Sequence, residues 1–391
     1  MGDFNRGTAT SSGFPAVRED FSNVIYEADP ADHPILTLAR SSAGGASAAS
    51  SVHKYQERPF RRLRTTLNGS ITSGQVNGIT FTDATFRAGD RVRIDQEVIL
   101  LGSTSDNLSF DGCTRSLGTG AAASHADGAI SNGIGKAHVQ GSSSTGSGDL
   151  IIEPDVVTTW TKIYKRKVSV AESAEMEIQW GKPISQAQWE IMEKGEDIKT
   201  EQERDCFWGV GQARVGQTTP GAFDGFYERI VGGGNNTDLG GSAYLDMQKV
   251  RTAMAAIRDY GHAKSSSLLS LACSVNQKLS FDGLGDGKII HQTPAEDAVA
   301  QLLGTDVRYL YILNRKILLI DLEWLDDEAY LLDFSKIKLL PYRNEKGNRE
   351  MFYKPFSGNA ADAEEGHIIS EATLEVGEPK AHFCWTNVRN S

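Results

Sequence analysis

The sequence predicts an α+β fold with a small all-β insertion, on three observations. Residues 52–67 and 161–170 are basic stretches that alternate at period two, as half-buried ribbons do. Residues 184–207 and 243–257 carry apolar side chains at helical spacing. Between the two basic strands, residues 68–148 break into short apolar runs at turn residues, the texture of a small antiparallel barrel or sandwich.

A chain of 391 residues can bury a large core and form two or three domains. Its formal net charge of -11 disfavours a sequence-reading DNA binder, yet suits a container that must release nucleic acid. Cys113, Cys206, Cys273 and Cys384 lie far apart with no CxxC pair, so reduced thiols are expected. The start of the chain has no apolar signal core, and Arg6 breaks a myristoylation pattern. No apolar run approaches the ~20 residues of a membrane span. These features predict a soluble intracellular product.

Residues 1–51 read as an extended arm. Phe21, Val24 and Ile25 mark one short helix, Pro30 and Pro34 interrupt it, and 35–39 forms another turn. The Ser/Ala/Gly run 41–51 reads as mobile. An arm so poor in core must pack on its own subunit or a neighbour. In 52–67, Lys54, Arg58, Arg62 and Arg64 share one face, and Pro59 suits a free-edged ribbon. Its expected partner is 162–170, making a long projecting arm with the insert at its tip. Within the insert, strands are expected at 79–81, 91–94, 97–101 and 108–110, with a helical turn at 121–126 and a flexible connector at 141–148.

Lys182-Pro183 supplies a helix-compatible first turn. The helix that follows carries Ile184, Ala187, Ile191, Ile198 and Phe207 on one stripe and a mostly acidic opposite face. Ser242 is expected to cap a second helix running to Tyr260, striped by Ala243, Met247, Val250, Met254 and Ile257 and closed by Gly261. A buried strand at 268–272, a short helix at 275–281 and a helix opened by Thr293-Pro-Ala-Glu296 come next. A hairpin about Asn314-Arg315, strands at 328–334 and 337–342, and a final pair, 366–375 with 380–388, complete the chain.

Chemistry is hard to place on this sequence. The eight histidines form no HExxH and no Cys/His cluster at zinc spacing. The glycines of 209–216 follow a helix and lack a P-loop lysine, so they read as a turn. Asp282-Gly-Leu-Gly-Asp-Gly287 resembles a calcium loop, but Leu284 stands where an oxygen ligand belongs. There is no GxSxG elbow. No enzyme activity, cofactor or metal is expected. The basic residues Lys54, Arg58, Arg61, Arg62, Arg64, Lys162, Lys165, Arg166 and Lys167 admit three readings. They are a docking surface for the acidic helix of an adjacent copy (Glu190, Glu193, Glu196, Asp197, Glu201), a solvated ribbon, or a phosphate-backbone contact. Thin aromatic interleaving disfavours single-strand stacking.

The order of elements resembles the major capsid proteins of tailed bacteriophages, of the Hong Kong 97-type fold, over nearly the whole chain. Tyr26-Glu-Ala-Asp-Pro-Ala-Asp-His-Pro-Ile-Leu36 is similar to the arm of one branch, and 160–174 to its strand leading to the spine. Ala329-Tyr-Leu-Leu-Asp333 and 373–382 are similar to closing axial and peripheral strands. Residues 89–128 resemble a β-module that some members carry in the extended loop. The resemblance implies an N-terminal arm (1–51) and extended-loop strands (52–67 and 149–170) around an inserted module (68–148). It further implies a peripheral domain with the spine helix (171–241), an axial domain (242–342) and C-terminal strands returning to the peripheral domain (343–391). The implied role is a virion subunit that assembles with itself, as hexamers and pentamers, into an icosahedral shell around double-stranded DNA. A portal, a separate scaffolding protein and a decoration protein are the implied partners, with assembly in the host cytoplasm and no membrane. The alternatives are a tail or baseplate component using the insert as a binding head, or a hydrolase.

Overall fold

The computed structural model describes residues 33–58, 63–138, 140, 154–172, 185–262, 267–282, 289–292, 298–299, 307–345, 347–356 and 363–389. The expected helices at 18–26 and opened at Thr293, the calcium-like loop and the connector 141–148 fall outside these residues, wholly or for the most part.

Two sheets and a long helix form the body. The strand Ala363–Val376 is the axis of the first sheet and is buried on both faces from Gly366 to Thr373. Along one edge it pairs antiparallel with Lys162–Ala171; along the other it pairs with Phe352–Pro355 and Ile337–Pro341. The second sheet has seven strands. Their order is Asn236–Asp238, Phe383–Thr386, Ala329–Asp333, Leu269–Cys273, Arg315–Asp321, Val307–Ile312 and Ile289–Gln292. Leu269–Cys273 is buried throughout, as a continuous apolar run at the centre of a covered sheet should be.

Helix α1 (Pro34–Ser42) packs on Ile337–Pro341 through Ile35, Leu36, Leu38 and Ala39, all buried. The long helix α2 (Gln186–Trp208) starts at Ser185, whose hydroxyl accepts from the Gln188 amide at 3.2 Å. It ends at Gly209 as expected. Ala187, Ile198 and Phe207 bury the predicted stripe. Phe207 meets Phe226, Trp324 and Tyr330 edge to face, each at 5.1 Å, and so ties α2 to the seven-stranded sheet. Phe226 begins α3 (Phe226–Gly232). Helix α4 (Met247–Asp259) covers the other face of that sheet with Val250, Met254 and Ile257, and α5 (Val275–Asp282) follows the central strand.

The insert has its own core. Arg64–Thr66, Ile130–Lys136, Asp90–Ile94 and Glu97–Leu100 make a four-stranded antiparallel sheet, beside the pair Ile79–Thr80 and Ser109–Phe110. Phe81 packs edge to face on Phe86 (4.9 Å) and Phe110 (5.7 Å). Within this small core Glu97 is 1 % exposed. Arg115 grips it with Nε and Nη2, both at 2.7 Å; the Ser116 and Ala123 amides donate at 3.1 and 3.0 Å, and His125 Nε2 lies at 3.0 Å. Burial raises the Glu97 pKa, but Arg115, the Ala123 amide, His125 and the Ser116 amide outweigh it and hold it at about 2.

Several elements differ from expectation. The strand 162–170 does not pair with 52–67: Val52–Glu57 pairs instead with Asp155–Trp160, and Lys162–Ala171 is a body strand. Asp246, not Ser242, caps α4, because its carboxylate accepts from the Lys249 amide at 2.8 Å. Residues 121–126 are not helical; His125 exchanges backbone hydrogen bonds with Ile71 instead. The hairpin turns on Leu313 (φ 49°) and Asn314 (φ 60°), one residue earlier than predicted. The final two strands lie in different sheets. The 41–51 run is docked, with Ala48 fully buried and its amide bonded to Pro341.

Candidate intersubunit surface

In the strand Lys162–Ala171 the even-numbered side chains face α2. Lys162 Nζ sits 2.5 Å from Asp205 and 3.5 Å from Glu201, and Arg166 Nη2 is 2.7 Å from Glu201. The buried Tyr164 hydroxyl donates to Asp205 at 2.8 Å. Burial pushes the Tyr164 phenol far up, and the Asp205 charge adds to it. Three of the predicted contact residues, Lys162, Arg166 and Glu201, are therefore paired within one subunit. A strand was not expected to fold back on the helix it leads into. It does so with α2 antiparallel over the strand, so that Arg166 meets Glu201 and Lys162 meets Asp205. Lys167 is paired in the same subunit, with Glu365 at 2.7 Å. Lys165 is exposed on the opposite face.

The ribbon strand Val52–Glu57 presents its odd face to the body. His53 Nε2 is 2.5 Å from Glu375, Tyr55 donates to the Val376 carbonyl at 3.1 Å, and Arg229 reaches Glu57 at 2.6 Å. The Glu378 amide also donates to Glu57, at 3.0 Å. Burial drives the Tyr55 phenol up to about 12. Burial also acts to raise Glu375, but hydrogen bonds from His53 and Lys338 bring it below the usual carboxylate range. The even face is open: Lys54 and Arg58 are exposed. Arg64, at the root of the insert, pairs with Asp259 of α4 at 3.1 Å. Arg61 and Arg62 lie outside the described residues.

On α2, Glu193 and Asp197 are exposed and Glu190 and Glu196 half-buried. Lys199 holds Glu196 at 2.5 Å and Lys194 lies 3.6 Å from Asp197. Sequence reasoning missed the inward polar residues of this helix. Glu203, 2 % exposed, takes the Ile35 and Leu36 amides at 3.0 and 3.4 Å and His33 Nδ1 at 3.3 Å, so α2 caps the N-terminus of α1. Gln202, fully buried, donates to Ser370 at 2.8 Å and accepts from Arg40 at 3.1 Å. A signal was present: Gln202 stands four residues from both Ile198 and Cys206, and Glu203 four from Phe207, on the apolar stripe. Glu371 was missed too. It is buried between Arg214 (3.0 Å) and Arg349 (3.1 Å) and accepts from Thr161 at 2.6 Å. Among the described residues, no group of three or more His, Cys, Asp or Glu is set to hold a metal ion, and no helix is long and apolar enough to cross a membrane.

A family model described as the SU10 major capsid protein matches residues 4–389. The chain belongs to that family. It is a major capsid protein, a structural subunit that associates with itself to form the virion shell, and its mixed helix-and-strand fold is of the Hong Kong 97 type. No curated protein sequence matches the chain. Solved structures similar to it include the capsid of an empty GTA particle, at 8 % identity and TM-score 0.49, covering 98 % of this chain and 100 % of that one. A structure from Mycobacterium phage Bobi has 9 % identity and TM-score 0.48, with 96 % and 98 % covered. The capsid asymmetric unit of Cyanophage A-1(L) has 9 % identity and TM-score 0.47, with 93 % and 95 % covered.

Proposed function

We propose that this capsid protein builds a closed icosahedral shell of hexamers and pentamers around double-stranded DNA, without catalytic activity of its own. The family match over residues 4–389 carries the reading. In it, 1–51 is the N-terminal arm, 52–57 with the 155–160 strand is the extended loop, and the inserted module begins at the 64–66 strand. The first sheet with α2 forms the peripheral domain and the seven-stranded sheet the axial domain, so that 337–341 belongs with the peripheral part and 236–238 and 383–386 with the axial part. Assembly takes place in the host cytoplasm with a portal and a separate scaffolding protein, and the insert offers a seat for a decoration protein.

The contact between copies runs from the open face of the ribbon to the exposed acids of a neighbouring α2. Lys54 and Arg58 supply the positive side, with Lys165 of the body strand, and Glu193, Asp197 and the half-buried Glu190 stand opposite. Exposed pairs contribute only ~0–1 kcal/mol each, so they set register more than affinity. Electron microscopy of purified protein under assembly conditions tests the shell; only rings, tubes or dispersed monomer would overturn it. Lys54→Glu with Arg58→Glu should impair assembly, and adding Glu193→Lys with Asp197→Lys should partly restore it. Normal assembly of the first double variant would remove the ribbon from the contact.

A further inference from the structure

The insert's four-stranded sheet has one face packed on its own core and one face open. Val92, Ile94 and Ile99 point inward and are fully buried. Pairing register sets the open face. Arg64 lies opposite Asn132, Asn132 opposite Arg93, and Arg93 opposite Val98, so one row crosses all four strands; Arg91 lies opposite Leu100 in the next. Ile130 and Ile134, 45 % and 58 % exposed, sit on the same face. It is thus an arginine-bearing face with an apolar floor.

Its arginines are poised for carboxylates. Arg64 already holds one, Asp259. The Arg93 guanidinium is steadied by the Asp95 carbonyl at 2.8 Å and Gln96 at 3.1 Å, which leaves it oriented at little further entropic cost. Neither Arg91 nor Arg93 meets a carboxylate of its own chain among the described residues.

A complementary surface exists elsewhere on the chain. Five of the eight residues from Asp321 to Glu328 are acidic, and Glu323, Asp326 and Asp327 are exposed. The turn is rigid: Leu325 is fully buried, the Val388 amide donates to the Asp327 carbonyl at 2.8 Å, and Gln277 to the Asp326 carbonyl at 3.2 Å. Trp324 lies in its middle, 5.1 Å from Trp208, which is 42 % exposed. Arg204 sits over the Trp324 ring at 5.9 Å, so this aromatic pair already accepts a guanidinium.

We propose that the open face of the insert docks on the acidic, tryptophan-bearing turn 321–328 of a second copy of this chain. Arg91 and Arg93 pair with Glu323, Asp326 and Asp327, while Ile130 and Ile134 cover Trp208. Each subunit carries both halves, so the contact is heterologous and propagates from copy to copy. The inference rests on the shell reading above and adds to it a bracing role for the insert.

The test is charge reversal on full-length protein, read as the concentration at which shells form by light scattering and electron microscopy. Arg91→Glu with Arg93→Glu should raise that concentration about tenfold or more, since attraction becomes repulsion at two sites. Adding Asp326→Arg with Asp327→Arg should bring it back to within about threefold of wild type. Should the reversed chain fail to fold, Arg91→Gln with Arg93→Gln is measured instead, with a rise of at least about threefold expected. An unchanged assembly concentration, or a loss that the swapped chain does not recover, overturns the docking. Failure of wild-type protein to form closed shells would strike the shell reading itself, so the two failures are distinguishable.

Discussion

Arg115→Ala is the sharpest probe of the insert. Five hydrogen bonds end on this guanidinium: two on Glu97, and one each on the carbonyls of Thr72, Gln75 and Ala123, at 2.8, 3.0 and 2.6 Å. The side chains of Arg115 and Glu97 are 5 % and 1 % exposed. Truncation therefore leaves a buried carboxylate with only two amides and His125, and takes a donor from three carbonyls. Breaking a buried pair from one side typically costs ~3–5 kcal/mol. That is a large share of what a core as small as the insert's supplies, so the module should open while the two-sheet body stays folded. Limited proteolysis should show new cleavage confined to 63–138, and hydrogen exchange should lose protection in the insert strands alone.

The same cluster predicts an acid response. Glu97 titrates at about 2 in the folded chain against 4.5 ordinarily, so the folded state binds fewer protons in between. The stabilisation is complete above pH 4.5 and is lost as pH falls toward 2. At about 1.4 kcal/mol per unit it is worth ~3 kcal/mol, an order-of-magnitude figure. Opening of the insert should steepen in that window in the native chain, and the slope should flatten in Arg115→Ala. Wild-type protection in the variant, or a loss under about 1 kcal/mol, would refute the network's role.

Glu203→Ala should free α1, at a cost of ~1–3 kcal/mol for two orphaned amides, read as selective hydrogen exchange at Ile35 and Leu36. His382 is buried, with Nδ1 accepting from the Asp333 amide at 3.1 Å and Nε2 3.2 Å from the Gly377 carbonyl. Burial pushes its imidazole well down, so its stabilising contribution is present above pH ~6.5 and drains away as pH falls. Denaturant melts of wild type between pH 7 and 5 should show that slope, and His382→Gln should lose it. Gly195→Ala should stabilise α2 by up to ~1 kcal/mol, because the added Cβ meets only the flexible end of Met351 at 3.4 Å. Gly209→Ala should destabilise, since its Cβ would fall 2.6 Å from the Asp205 carbonyl oxygen.

What sequence alone revealed was whatever depends on local pattern. The stripe Ala187, Ile198, Phe207 faces the core, and Met247, Val250, Met254 and Ile257 do the same on α4. The insert strands expected at 79–81, 91–94, 97–101 and 108–110 fell where turn residues bounded them, but Ile130–Lys136, which joins Arg64–Thr66 to Asp90–Ile94, was not expected. What stayed hidden depends on which distant strand a segment chooses. Lys162–Ala171 alternates at period two as Val52–Glu57 does, and nothing local says that one pairs with Ala363–Val376 and the other with Asp155–Trp160. Buried charge was invisible for a related reason. Glu97 and Glu371 look like surface acids until Arg115 and the Arg214–Arg349 pair arrive from 18 to 157 residues away, whereas Glu203 shows itself by standing on the apolar stripe of α2.

Charge bookkeeping on α2 then bears on how copies meet. The C-terminal half of the helix meets its own subunit's strand through Lys162 and Arg166, so Glu201 and Asp205 have little attraction left to offer. The N-terminal half keeps Glu193 and Asp197 in solvent, and Met192 beside them is 63 % exposed. The ribbon divides in the same way: His53, Tyr55 and Glu57 fasten one face to the body, while Lys54 and Arg58 stay open. A limb clamped on one face is stiff, and a stiff limb loses less entropy when a neighbour meets the other face. Internal pairing and outward reach are therefore compatible on one strand, because alternation at period two assigns them to opposite faces.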